Sequence, residues 1–394
     1  MHVLLVEEDP LVAHSLKRLL AFATSSDIDL STATTQAEAL NLLDQKRFEL
    51  VISDMRNGTA PAVMNAAQTH SPDALRLAIS GHSEGYEVVP LLASAQRHLA
   101  KPLRFVELER VFSRLTWLRT LVPQGPSREL LHGVNQLPPM PATYAKLTRA
   151  LASTHTGASD LAAIIEQDPA LASKLLQLVN SSYFASAGCV SDIGRAVVLV
   201  GAPAIKTLAL AIEDFELPGL PPHLRQHWQH HSLLVANIAA HLTSSPQDAE
   251  YAFATGLLHE VGELLLALNT PDHLATLLDR SRLEEISTYT VETSLQEPPH
   301  PLLGAYLLGL WGLPRVVVEA ILHHHDVPSD VGSLDGVIQL ADRLAIELDG
   351  DGLSPHRHPL DDALIDELEI ADELPGWRAM AVEQATRVTT LLAA

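Results

Sequence analysis

Near residue 120 the hydrophobic pattern of this 394-residue chain changes period, and the change dictates a fold in two unlike parts. Over residues 1–120, short apolar runs (HVLLV, DLSTA, LVISD, LRLAIS and RHLAK) alternate with helical patterns of about 10–15 residues. Runs this short and this apolar suit strands buried on both faces. Five such strand–helix units predict an α/β fold, a doubly wound five-stranded parallel sheet. The last helix is expected from about Phe105 to Thr120 and leads into VPQGPS, so residues 121–128 read as a linker by composition. From Glu129 onward the alternation stops. Segments such as DLAAIIEQDPALASKLLQLVN and HSLLVANIAAHL carry apolar residues at i, i+3 and i+4, so residues 129–394 are expected to be all-α. Within them, residues 349–359 (DGDGLSPHRHP) read as a loop, followed by a C-terminal helical extension. Asp168-Pro169 reads as an N-cap with proline at the first helical position. Ile164, Ile165, Leu171, Leu175, Leu176 and Val179 recur at helical spacing and are expected to face the core.

Charge is spread as unevenly as the pattern. Residues 1–120 hold 14 acidic and 12 basic side chains, net −2, so −20 of the chain's −22 lies beyond them, and no lysine follows Lys206. A part this acidic repels a phosphate backbone, and no direct nucleic-acid binding is expected. The lone cysteine, Cys189, excludes a disulfide framework and suits a reducing compartment. The opening MHVLLVEEDP has no basic region of the signal-peptide kind. No apolar segment is expected to reach the ~18 residues of a membrane span, because AVVLVGAPAIKTLALAI is interrupted by Pro203 and Lys206. A cytoplasmic protein without membrane insertion is the expectation.

Each polar cluster of the first part follows a strand: Glu7, Glu8 and Asp9 after the first, Asp54 at the end of the third, Ser80 after the fourth, Lys101 closing the fifth. In a doubly wound sheet the carboxyl ends of strands gather in one crevice. Carboxylates meeting there need a cation between them, and a few-ligand site that keeps its waters suits Mg²⁺. Ser80 and Lys101 are suited to hydrogen-bond and neutralise an added phosphoryl group. With these residues in this order, residues 1–120 resemble the receiver domain of two-component response regulators. The resemblance implies that Asp54 is the phosphoacceptor, a carboxylate nucleophile. It further implies that Glu7, Glu8, Asp54 and the backbone carbonyl of Arg56 hold Mg²⁺, with Ser80 as switch hydroxyl and Lys101 on the phosphate. The chain departs from the receiver pattern in its second glutamate, in Asn57-Gly58 where Met-Pro is common, and in His98 at the switch-aromatic position.

In the second part, LLHEVGEL (residues 257–264) places a histidine and two carboxylates in an otherwise apolar helix. Upstream, LPPMPATYAKL, IIEQDPALASKLLQLVNSSYF and VSDIGRAVVLVGAPAIKTLAL follow one another. This order resembles the HDOD domain, an α-helical output module related to HD-type metal phosphohydrolases, over residues 130–345. By that resemblance His231, His259, Glu260, His300, His324 and Asp342 fall at the positions where HD-type hydrolases cage one or two metals. Imidazole with carboxylate suits Zn, Mn or Fe. Two features point instead to a degenerate site. Glu260 stands for the aspartate of the His-Asp pair and adds about 1.5 Å of reach to a carboxylate that would bridge metals about 3.5–4 Å apart. Glu263 sets an anion where related phosphodiesterases carry a lysine that meets the substrate phosphate. The Gly-Tyr-Pro signature of the cyclic-dinucleotide branch is also missing after His325. His323, His324 and His325 are consecutive, so on a helix they point about 100° apart and cannot all bind one metal. At a helix C-terminus such a run is favourable for charge–dipole reasons alone.

The expected function is therefore that of a two-component response regulator. A sensor histidine kinase phosphorylates Asp54, with Mg²⁺ at the receiver site, and this controls a non-catalytic HDOD output domain that acts through protein–protein contact. The implied partners are the kinase, a second copy in a homodimer, and an unidentified protein, with cyclic-dinucleotide signalling enzymes among the candidates. The alternative is a phosphorylation-regulated, metal-dependent phosphohydrolase working through the same HD-type residues and a transition metal.

Overall fold

Among the described residues, every strand lies before residue 101 and only helices follow. The computed structural model describes residues 1–23, 29–54, 59–71, 74–80, 95, 97–100, 105–121, 157–179, 190–200, 222–311, 313–327, 330–348, 360 and 362–393. Arg56, Lys101, residues 122–128 and residues 349–359 lie outside the described residues. Strands β1 (His2–Val6), β2 (Asp29–Ala33), β3 (Leu50–Asp54), β4 (Leu75–Ser80) and β5 (Arg97–Ala100) form one sheet in the order β2-β1-β3-β4-β5. Every pairing is parallel. Val3, Leu4, Leu5, Leu50, Val51 and Leu77 are fully buried, as strands covered on both faces require. Helices α1 (Pro10–Ala23), α2 (Gln36–Gln45), α3 (Thr59–His70) and α4 (Phe105–Leu121) accompany the sheet, α1 against α4 and α2 against α3.

The chain leaves β1 for β2 on one side and returns for β3 on the other, so a crevice opens at the carboxyl ends of β1 and β3. The register pairs Val6 with Ser53, which sets Glu7 beside Asp54 at that edge; both are buried, whereas Glu8 is exposed. Asp9 has a local task. Its Oδ1 accepts the Leu11 N–H at 2.9 Å and caps α1, while Glu7 Oε1 accepts the Asp9 N–H at 3.1 Å. Ser80 and His98 lie on the adjacent strands β4 and β5.

The helices of the second part begin with α5 (Ala158–Glu166), α6 (Pro169–Val179) and α7 (Ile193–Val200), which pack on one another. Asp168 Oδ1 accepts the Leu171 N–H at 3.0 Å, so the Asp-Pro pair caps and starts α6. Ile165, Leu171, Leu175, Leu176 and Val179 are buried, and Ile164 packs half-buried against them. There follow α8 (Pro222–Leu242), α9 (Pro246–Leu258), α10 (Val261–Asn269), α11 (Pro271–Glu284), α12 (Thr288–Ser294), α13 (His300–Trp311), α14 (Arg315–Leu322), α15 (Leu334–Leu348), α16 (Asp362–Glu367) and α17 (Leu374–Ala393). Helix α8 is buried nearly all round from Leu233 to Ala239 and packs on α9, α15 and α17, which makes it the axis of this half.

One expectation about apolar segments is corrected. Tyr251–Asn269 is 19 residues long with mean hydropathy 1.2, apolar enough by length and composition for a membrane span. It is broken into α9 and α10 at His259-Glu260, and 78% of it is buried inside the protein, so it forms core.

Candidate metal centre

LLHEVGEL is not one helix. His259 is the C-cap of α9, still helical at φ −60° and ψ −33°, and Glu260 is the N-cap of α10 at φ −95° and ψ 13°. The break aims the two side chains into the same interior space instead of 100° apart around an axis. Two glycines bring other helices up to it. A Cβ on Gly256 would lie 2.7 Å from Ala236 Cα, so α9 and α8 meet backbone to backbone, and the His231 and His259 ring centroids are 5.3 Å apart. A Cβ on Gly262 would lie 1.9 Å from the His300 carbonyl oxygen, so only glycine lets the start of α13 approach α10.

The result is two buried groups of side chains, each with its ligand atoms within 4.8 Å of one another: His231, His259 and Asp342, and Glu260, His300, His324 and His325. In the first group, Asp342 Oδ1 lies 3.0 Å from His231 Nε2 and 3.8 Å from His259 Nε2. In the second, Glu260 Oε2 lies 3.1 Å from His300 Nε2, and Glu260 Oε1 lies 3.6 Å from His324 Nε2 and 4.0 Å from His325 Nε2. Glu260 also joins the groups, its Oε1 being 3.5 Å from His259 Nε2. All six HD-type residues expected from the sequence converge here, and His325 is a seventh that was not expected.

Two of the three consecutive histidines face the centre, and His323 does not. Helix α14 ends at Leu322, and the run lies on the turn beyond it. His323 turns outward to Asp326 at 2.7 Å, while His324 and His325 both turn inward with ring centroids 4.1 Å apart. Asp326 and Pro328, just after the run, are the sequence signal that the helix stops there.

Hydrogen bonds fix which ring nitrogens face the interior. His259 Nδ1 lies 2.7 Å from the Gly256 carbonyl and His324 Nδ1 lies 2.6 Å from the Ile321 carbonyl. A carbonyl only accepts, so each Nδ1 carries the hydrogen and each Nε2 presents a lone pair toward Glu260. Lone pairs of imidazole and carboxylate held together in a buried space repel unless a cation lies between them, and this donor set suits Zn, Mn or Fe. Burial, offset in part by Glu260, lowers the His259 pKa to about 4, so the ring is neutral, as a ligand must be. His300 differs. Its Nδ1 is 2.8 Å from Glu292 Oε2, which also accepts the His300 N–H at 3.0 Å. Burial opposes its charge, but Glu292 and Glu260 outweigh this and hold the ring well above the ordinary histidine range. Such a carboxylate behind a histidine orients it and raises its basicity toward a metal. Glu292 was not foreseen, and no sequence spacing links it to His300.

Glu263 corrects a second argument. It is fully buried, its Oε1 accepts the Thr288 hydroxyl at 3.0 Å, and burial followed by the charge of Glu260 raises its pKa to about 8. Near neutral pH it is a carboxylic acid, so it does not present the anion inferred from its residue type. By contrast, Glu7, Glu8 and Asp54 do not form a third such group among the described residues.

Comparison with known proteins agrees with this picture of the second half. Residues 137–327 match the HDOD domain family. An uncharacterized protein of Treponema pallidum (strain Nichols) is 26% identical over 230 residues, 57% of this chain and 45% of that protein. The chain thus spans less than half the length of that curated relative. Among solved structures, a virulence factor (cj0248) from Campylobacter jejuni subsp. jejuni shares 20% identity with TM-score 0.50, covering 66% of this chain and 96% of that one. The MmoQ response regulator from Methylococcus capsulatus str. Bath shares 22% identity with TM-score 0.48, covering 62% of this chain and 98% of that one. The family match does not include the N-terminal parallel sheet, and it stops short of Asp342. Over residues 137–327 the helical half is thus similar to the HDOD domain, and it brings histidines and carboxylates together at a shared glutamate.

Proposed function

We propose that this chain is a signal-transduction protein in which a receiver-type, doubly wound sheet controls an HDOD half that binds transition-metal ions. In this reading Asp54 takes a phosphoryl group from a histidine kinase, with Mg²⁺ held by Glu7, Glu8, Asp54 and the Arg56 carbonyl. Ser80, His98 and Lys101 respond at the neighbouring strand ends. The receiver assignment is supported by the sheet order and by Glu7 and Asp54 lying side by side at the crevice. The output is contact with a partner protein, with metal holding the helices that make the contact surface.

The observation that carries the metal reading is the convergence of His231, His259 and Asp342 with Glu260, His300, His324 and His325 about one shared carboxylate. When bound, a metal there supplies positive charge between the lone pairs and, at an open position, Lewis acidity. The second reading, phosphoester hydrolysis, is favoured by the same sharing of Glu260, since a bridging carboxylate is how two-metal clamps are built. Against it stands burial: His259 and His300 are 0% exposed, and a substrate phosphate must reach metals behind them.

The test is metal analysis of the full chain purified without chelators, with a cyclic dinucleotide supplied as trial substrate. Stoichiometric Zn, Mn or Fe that is lost in His259→Ala, without turnover, is the expected result. Turnover that disappears in His259→Ala would replace the contact module with the hydrolase. Protein with neither metal nor metal-dependent stabilisation would remove the metal reading. The receiver arm is tested separately: acyl phosphate with Mg²⁺ should label the wild type and leave Asp54→Asn unlabelled.

A further inference from the structure

The two halves touch where the second group of histidines is anchored. Arg114 on α4 reaches across to the end of α13, its Nη1 donating to the Leu313 carbonyl at 2.8 Å and the Gly309 carbonyl at 3.3 Å. A guanidinium at that place satisfies carbonyls that α13 leaves open and meets the negative end of its dipole. One turn further along α4, Leu118 fills the notch left by Gly309, where an added Cβ would lie 2.5 Å from Leu118 Cδ2. The Arg315 guanidinium at the start of α14 stacks on Trp117 at 4.9 Å from the ring centroid, and its Nε pairs with Glu319 at 2.7 Å. Buried residues of the sheet half, of α4 and of α13 form one continuous core.

These contacts converge on the α13–α14 turn, and the far ends of both helices lie in the metal centre. Helix α13 begins at His300, and His324 and His325 follow α14. A packed helix transmits displacement along its axis because its interior contacts have discrete arrangements and little compressibility. The first group is tied to that turn only through neighbours. His231, His259 and Asp342 belong to α8, the end of α9 and α15; α9 and α15 pack on α14, and Glu260 Oε1 lies 3.5 Å from His259 Nε2.

We infer that α4, seated on the α13–α14 turn, is the lever by which the sheet half sets the geometry of Glu260, His300, His324 and His325, more directly than that of His231, His259 and Asp342. The metal arm of this inference rests on the metal reading above. The mechanical arm does not: it requires only that loosening the turn loosens the far ends of both helices.

The experiment uses the full chain, with Arg114→Ala removing the carbonyl contacts and Arg315→Ala removing the stack on Trp117. The Arg315 side chain is 65% exposed, so its loss tests the contact even if Arg114→Ala fails to fold. Amide hydrogen exchange is followed by peptide, and Mn²⁺ is titrated into chelator-treated protein. The expected result is exchange at least tenfold faster over residues 300–325 in each variant, with smaller changes in α8, α9 and α15. One of two Mn²⁺ ions should also bind at least tenfold more weakly. Faster exchange over 320–325 in a protein that binds no Mn²⁺ supports the lever and removes the metal reading. Unchanged exchange over 320–325, with both Mn²⁺ affinities intact, overturns the lever and leaves the metal reading standing.

Discussion

Glu263 shows how little a residue type says once it is buried. As a letter in LLHEVGEL it is an anion beside a phosphate-binding centre. In the folded protein it is an acid hydrogen-bonded by Thr288, because desolvation and Glu260 raise its pKa from 4.5 to about 8. A carboxyl whose pKa is higher folded than unfolded binds an extra proton in the folded state. Its stabilisation is complete below about 4.5 and is lost as pH rises through about 8. Thermal melts of metal-free protein should therefore show the wild type losing ground to Glu263→Gln between pH 5 and pH 8.5. A constant difference across that range would mean that Glu263 ionises normally. His325 carries a related lesson. Helical angles do not govern it, because α14 ends at Leu322, just before the histidine run.

At the scale of elements, the centre depends on how closely helices cross. Helix α13 reaches Glu260 because α10 offers a glycine at the crossing, and the His300 carbonyl occupies the space where a Cβ would be. Gly262→Ala meets backbone there, which does not yield as a flexible side chain does. A destabilisation at or above the usual ~1–3 kcal/mol of overpacking is expected from the urea midpoint. Weaker metal binding should accompany it, because His300 is displaced from Glu260. A variant with wild-type midpoint and metal content would show that α10 and α13 are not held at this distance. The break between α9 and α10 belongs to the same scale. Without it the apolar stretch from Tyr251 to Asn269 would be a single rod, with His259 and Glu260 on different faces.

For the whole molecule, the continuity of the core through α4 and α13 means that the halves do not stand as independent bodies. A ligand that binds only the folded state stabilises it by about 2.7 kcal/mol at a concentration 100 times its Kd. Mn²⁺ at that excess should raise the unfolding free energy of the helical half, read from its urea transition, by this amount, and that of the sheet half along with it. In His259→Ala both shifts should shrink. A sheet transition that ignores Mn²⁺ while the helical transition shifts would show that the α4–α13 contact carries no stability between them.

Local pattern and capping chemistry placed the five strands within a residue of their ends and located the Asp168-Pro169 start of α6. These are local matters, decided by alternation, capping chemistry and the stiffness of proline. Resemblance to known domains supplied six of the seven converging side chains, since a motif order survives in sequence even where the geometry is not yet visible. Tertiary structure decided the rest. The second ligand from the histidine run, the glutamate behind His300, the protonation of Glu263 and the seating of Arg114 at the α13–α14 turn all join residues on separate elements. Their free energies depend on distance and burial, which close packing sets and a linear order of residues does not contain.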